Sequence, residues 1–93
     1  MGVLYKPPFR KFVKKQSRGF QLAIEDEVRA LGEDPVAGEQ KKGDLTGIRV
    51  HKFNFHRQEY LIAYVVGNKD IVFYAIGTHE NFYRELKRYL KEV

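Results

Sequence analysis

The chain has no cysteine, no tryptophan and one serine, Ser17. Without cysteine there is no disulfide scaffold, no thiolate nucleophile and no cysteine-ligated zinc site. Ser17 lies where a helix cap is expected, which argues against a Ser-His-Asp hydrolase. The three histidines, His51, His56 and His79, form neither an HExxH motif nor an i, i+4 pair, so no metal and no cofactor is expected. A glycine-rich phosphate loop is also missing, because GNKDIVFYAIG (67–77) has hairpin and strand character with no helix after its first glycine. No run of about 18 apolar residues exists to span a membrane. The N-terminal MGVLYKPPFRKFVKK lacks the apolar stretch of a secretory signal, and the expected location is the cytoplasm.

What is present suits one small globular domain over residues 1–93. Apolar residues make up 43% and aromatics 14%, enough for a core and against wholesale disorder. With tryptophan absent, seven Phe and six Tyr must fill that core, and any left exposed can stack on bases. The net charge of +5 is unevenly spread: residues 1–18 carry +6, residues 19–47 carry −4 and residues 48–93 carry +3. Such a basic surface suits a polyanion or an acidic protein segment, although a solvated helix face has the same signature.

Val3-Leu4-Tyr5 reads as an edge strand stopped by Pro7 and Pro8, with Pro8 opening a helix. Phe9, Phe12 and Val13 have helical spacing. Ser17 ends that helix and caps a second, whose stripe is Phe20, Ile24, Val28 and Leu31, widened by Leu22 and Ala23. Glu25 and Arg29 stand at i, i+4, and Gly32 closes the helix. Residues 8–33 therefore form a helical hairpin, and residues 34–47 a loop. The runs 48–55, 59–66 and 71–76 are rich in β-branched and aromatic residues, and their short links make antiparallel hairpins. The middle and last runs are almost continuously apolar, so both sheet faces are expected to be covered. A closing helix from His79 to about Lys91 has Phe82, Leu86, Tyr89, Leu90 and Val93 on one stripe. The fold class expected is α+β, of order β-α-α-β-β-β-α: a helical hairpin and a C-terminal helix packed on a small antiparallel sheet.

Two groups of residues could carry chemistry. His79 and Tyr83 lie one turn apart at the start of the last helix, off its apolar stripe, where the helix N-terminus favours an anion. In strand 48–55, period two puts Phe53 and Phe55 on the core side and leaves Lys52 and Asn54 on the other, with His56 just beyond. Lysine on an open sheet face beside an imidazole and a phenol could hold a phosphodiester. The same spacing also allows a half-buried Tyr83, an ordinary surface His79 and a solvated Lys52.

Leu45-Thr46-Gly47 leading into a basic strand, Glu59-Tyr60-Leu61-Ile62-Ala63-Tyr64, and the ending Gly77-Thr78-His79-Glu80-Asn81-Phe82-Tyr83-Arg84-Glu85-Leu86-Lys87-Arg88 together resemble the RelE/ParE superfamily of bacterial type II toxin–antitoxin toxins. The resemblance covers nearly the whole chain and implies a compact toxin held inactive by a small, acidic antitoxin. In the RelE-like branch it implies a metal-independent endoribonuclease that enters the ribosome and cuts mRNA, the 2′-OH of the RNA attacking the adjacent phosphate. In the ParE-like branch it implies a non-catalytic inhibitor of DNA gyrase. A plain nucleic-acid binder without toxicity is a third reading. Carried onto this sequence, the resemblance makes His79, Tyr83 and Lys52 catalytic candidates, with Glu80 able to orient His79. It makes Asn81 a substrate-binding candidate, with Arg49 and Arg57, and the strand reading adds Asn54 and His56 to these. RNA-cutting members often place an arginine after the tyrosine of the central strand. Leu61 stands there in this chain, with Arg57 or Arg49 as possible replacements.

Overall fold

The protein is described from a computed structural model covering residues 2–92, with the side chains of Asn81 and Glu92 outside the described set. Strand β1 (Gly2–Tyr5) leads into helix α1 (Pro7–Lys14) and helix α2 (Arg18–Glu33). Prolines fill the first turn of α1, where their missing N–H groups need no helical partner, and Lys11 and Lys14 sit at its negative C-terminal end. Ser17 separates the helices as expected: its Oγ accepts a hydrogen bond from the Phe20 N–H at 3.2 Å. Gly32 does not end α2, which runs on to Glu33 before Asp34 donates to the Ala30 carbonyl. Arg29 pairs with Asp26 at 3.0 Å rather than with Glu25, and Leu22 points to solvent.

Residues 34–47 are not wholly loop. They contain a two-residue strand β2 (Glu39–Gln40) and a 3-10 turn at Gly43–Leu45, both too short and polar for a periodic signal. Strands β3 (Arg49–Phe55), β4 (Gln58–Val66) and β5 (Asp70–Thr78) form the antiparallel meander that their short links require. The sheet order is β1-β5-β4-β3-β2. β1 lies parallel to β5, so the sheet is mixed rather than purely antiparallel. The meander leaves β5 with an open edge, and no short link constrains the direction in which the distant N-terminus joins it. Tyr5 then stacks between Phe9 and Phe73, at 5.3 and 5.7 Å between ring centroids. Helix α3 (His79–Glu92) follows β5 without a break. The expected Val93 end of its apolar stripe lies outside the described residues.

Both sheet faces are covered. Helices α1 and α2 bury one with Phe9, Phe20, Ile24 and Leu31 against Phe53, Ile62, Tyr64, Ile71 and Phe73. Helix α3 buries the other with Phe82 and Leu86 against Ile48, Val50, Leu61, Ala63 and Ala75. The nearly continuous apolar character of β4 and β5 follows from this double coverage. One buried polar group ties the loop to the core. The Tyr64 hydroxyl donates to the Pro35 carbonyl and accepts from the Gly38 N–H, both at 2.8 Å. Gly38 is required for that approach, since a Cβ there would meet the Tyr64 oxygen at 2.5 Å. Burial, partly offset by the Gly38 hydrogen bond, raises the Tyr64 pKa and keeps the phenol protonated.

Candidate functional site

The direct passage from β5 into α3 fixes His79 at the first helical position, with Tyr83 one turn later. Their rings meet edge to face, 5.7 Å between centroids and 77° between planes. Tyr83 is half-buried and packs edge-on to Phe82, so one face of the phenol is fixed by the core while His79 stays exposed. Lys52 pairs with Leu61 in the β3–β4 ladder, and Leu61 belongs to the core under α3. Alternation places Lys52 and Asn54, both exposed, on this same face. Phe53 and Phe55 turn toward α2. The lysine, the imidazole and the phenol thus share one side of the sheet.

Two further residues join them that the sequence reading passed over, Glu39 and Lys41. Lys41 follows β2, and its backbone N–H donates to the Ile48 carbonyl at 2.9 Å. Its Nζ donates to Glu39 Oε1 at 2.9 Å and lies 5.4 Å from the centroid of the Tyr83 ring. The Glu39 carboxylate first, and then the Tyr83 phenol, hold the Lys41 ammonium above the usual lysine pKa. Lys41 lowers the Glu39 pKa in return, and the Lys52 charge adds to the effect. Both members of the pair therefore stay charged through neutral pH. No periodicity marks these positions. The adjacent Lys41 and Lys42 in a glycine-rich stretch were the one available hint.

Beyond Tyr83, the outer surface of α3 continues with Arg84, Lys87, Arg88 and Lys91, which line an open depression of about 510 Å³. The site thus opens onto a cationic helix surface. Among the described residues no group of three His, Asp or Glu side chains is arranged to hold a metal ion.

The remaining candidates lie elsewhere. Arg49 is on the opposite face, where Nη1 donates to the Gly38 carbonyl at 2.9 Å and the Val36 carbonyl at 3.3 Å. It secures the loop that Tyr64 also holds. His56 and Arg57 form the tip of the β3–β4 hairpin with φ of 50° and 67°, and the His56 ring stacks on Phe55 at 4.0 Å. The Asn81 side chain lies outside the described residues, and among the described residues Glu80 makes no hydrogen bond or ion pair with His79, so it does not orient the imidazole. Leu61 is fully buried, so no cation projects from the position after Tyr60.

A second feature lies across the molecule. Tyr5, Phe9, Val13, Ile24 and Val28 line an apolar groove of about 350 Å³ between β1, α1 and α2, with three cations, Arg10, Lys14 and Arg18, and one acid, Glu25, along it.

The sequence matches the family described as the ParE-like toxin of type II bacterial toxin–antitoxin systems over residues 3–87. The chain belongs to that family. The fold of this ParE-like chain is similar to the crystal structure of the intact E. coli RelBE toxin–antitoxin complex, with a TM-score of 0.67 and 14% sequence identity over 85% of this chain and 96% of that one. No curated protein matches the chain. The three helices on a five-stranded sheet are accordingly a RelE-like α+β arrangement, and the protein is a ParE-like toxin of type II toxin–antitoxin systems.

Proposed function

We propose that this toxin is a metal-independent endoribonuclease that cuts mRNA on the ribosome. The carrying observation is the placement of His79, Tyr83 and Lys52 on one sheet face, with a half-buried phenol beside an exposed imidazole. In this reading the 2′-OH of the RNA attacks its own 3′-phosphate, forming a 2′,3′-cyclic phosphate and releasing the 5′-oxygen. Lys52 neutralises charge on the phosphate. His79 moves a proton to or from the reacting oxygens, and Tyr83 holds the substrate through its ring and hydroxyl. The His56 and Arg57 hairpin tip and Asn54 would contact flanking nucleotides.

The toxin's partner in this reading is a small acidic antitoxin. An amphipathic acidic segment complements the groove between α1 and α2, whose floor is apolar and whose flanking residues include Arg10, Lys14 and Arg18.

The experiment is controlled expression of the wild type and of a His79→Ala/Tyr83→Phe double variant, with mapping of mRNA 5′ ends. New ends and growth arrest with the wild type, and neither with the double variant, are expected. Equal arrest by both proteins without new ends would reject cutting. Leu61, buried where RNA-cutting members of the resembled superfamily often have arginine, favours a second reading as a gyrase inhibitor. That reading predicts altered supercoiling and DNA damage with mRNA left intact.

A further inference from the structure

Lys41 and Glu39 form an ion pair at 2.9 Å, and Lys52 lies on the same side of the sheet. In the register of β2 on β3, Glu39 stands opposite Val50, and Lys41 bonds to Ile48 just beyond. Val50 and Ile48 both belong to the core under α3, which places Glu39 and Lys41 on that face. Lys52 is the next residue of β3 on the same face, diagonal to Glu39. Diagonal neighbours in an antiparallel pair are roughly 7–8 Å apart, within reach of long side chains. One carboxylate is therefore flanked by two ammonium groups, at the edge where Tyr83 closes the site.

The two partners in the contact are unequal. The Lys41 side chain keeps only 22% of its exposure, whereas Glu39 keeps 65%. The lysine is already ordered against its surroundings, so little freedom remains for it to lose on binding an anion. The glutamate is free to swing away, and a solvent-exposed ion pair is weak enough to exchange.

We propose that Lys41 and Lys52 form a paired phosphate-binding site for the RNA backbone, and that Glu39 is an internal counter-ion occupying the phosphate position until RNA displaces it. The inference takes its ligand from the RNA-cutting reading above, and it adds a cation and a competitor that the reading does not use. It also supplies a positive charge to a site whose central strand has leucine at position 61. Lys41 acts on the phosphate and not on proton transfer.

The test is binding of a 2′-O-methyl RNA oligonucleotide, which cannot be cut by its own 2′-oxygen, to the full chain across a salt series. Removing one phosphate contact lowers the slope of log affinity against log salt by about 0.7, or about fivefold in affinity at 0.1 M salt, and Lys41→Met should show that change. Lys41→Arg should restore the wild-type slope. Glu39→Gln, an exposed substitution that leaves the core untouched, should tighten binding roughly fivefold. An unchanged slope in Lys41→Met overturns the pair, and weaker binding by Glu39→Gln overturns the counter-ion role. Loss of slope in Lys41→Met alongside a wild type that leaves every mRNA intact supports the phosphate pair and rejects cutting. Cutting by the wild type with an unaltered Lys41→Met slope does the reverse.

Discussion

The two faces of the sheet are built from different materials. Under α1 and α2 the core is aromatic: Phe20 meets Phe55 at 4.5 Å, Tyr60 at 4.7 Å and Phe53 at 6.4 Å, and Phe73 meets Phe9 and Tyr64 at 5.5 and 5.9 Å. Polar groups there are committed to structure, as with Tyr64 on the loop carbonyl, Arg49 on two others, and His51 on Glu27 at 2.7 Å. Under α3 the core is made of smaller side chains, with Ala63 and Ala75 facing Leu86 and Phe82. Its polar margin of Lys41, Glu39, Lys52, Tyr83 and His79 has few bonds to the backbone. One face stabilises the fold, and the other leaves charged and aromatic groups available for a ligand.

Substitutions can break this division, and the largest effect is expected on the aromatic face. Phe73→Ala removes a fully buried ring and should cost about 3–5 kcal/mol, a large share of a small domain's stability, read from the shift in denaturant midpoint. On the other face, Lys52→Met should lower mRNA cutting by about 10²-fold, corresponding to about 2.7 kcal/mol of barrier, with the denaturant midpoint unmoved. A large midpoint shift from Lys52→Met would end the division. Smaller again is Tyr64→Phe, which leaves the Gly38 N–H and Pro35 carbonyl without their partner and should cost about 1–3 kcal/mol by the same denaturation measurement.

The smallest effect sharpens the comparison at the hairpin tip. His56 and Arg57 both have positive φ, a conformation in which Asn-Gly is favoured for a two-residue turn. His56→Asn/Arg57→Gly should raise stability by about 1 kcal/mol, seen as a higher Tm. If the native pair contacts RNA, the same variant should also bind RNA less tightly. Stabilisation without loss of RNA affinity would remove the tip from the site.

The sequence made the long elements legible because each has a clean period. The 3.6 spacing of Phe20, Ile24, Val28 and Leu31 located α2, Ser17 marked its start, and the alternation around Phe53 and Phe55 assigned the faces of β3 correctly. Gly32 failed as a stop because a helical glycine is tolerated when no left-handed residue is required there. The parallel edge at β1 was not legible, since strand direction across a long separation is set by tertiary packing such as Tyr5 on Phe73. The site divides in the same way. His79 and Tyr83 share a helix, so their adjacency follows from spacing, and Lys52 follows from parity. Lys41 and Glu39 depend on a two-residue strand whose register no local pattern records. Arg49 drew attention by its charge, but its loop partners Val36 and Gly38 become visible only once the chain has turned back.

The most direct measurement uses purified translating ribosomes programmed with an mRNA carrying a single 2′-deoxy nucleotide at the mapped cut position. Wild-type toxin should cut the all-ribose message and leave the substituted position intact, with cutting shifted to other positions or lost. Equal cutting at the 2′-deoxy position, or no cutting of either message, would contradict a mechanism in which the α3 face cradles a ribose whose own hydroxyl attacks the phosphate.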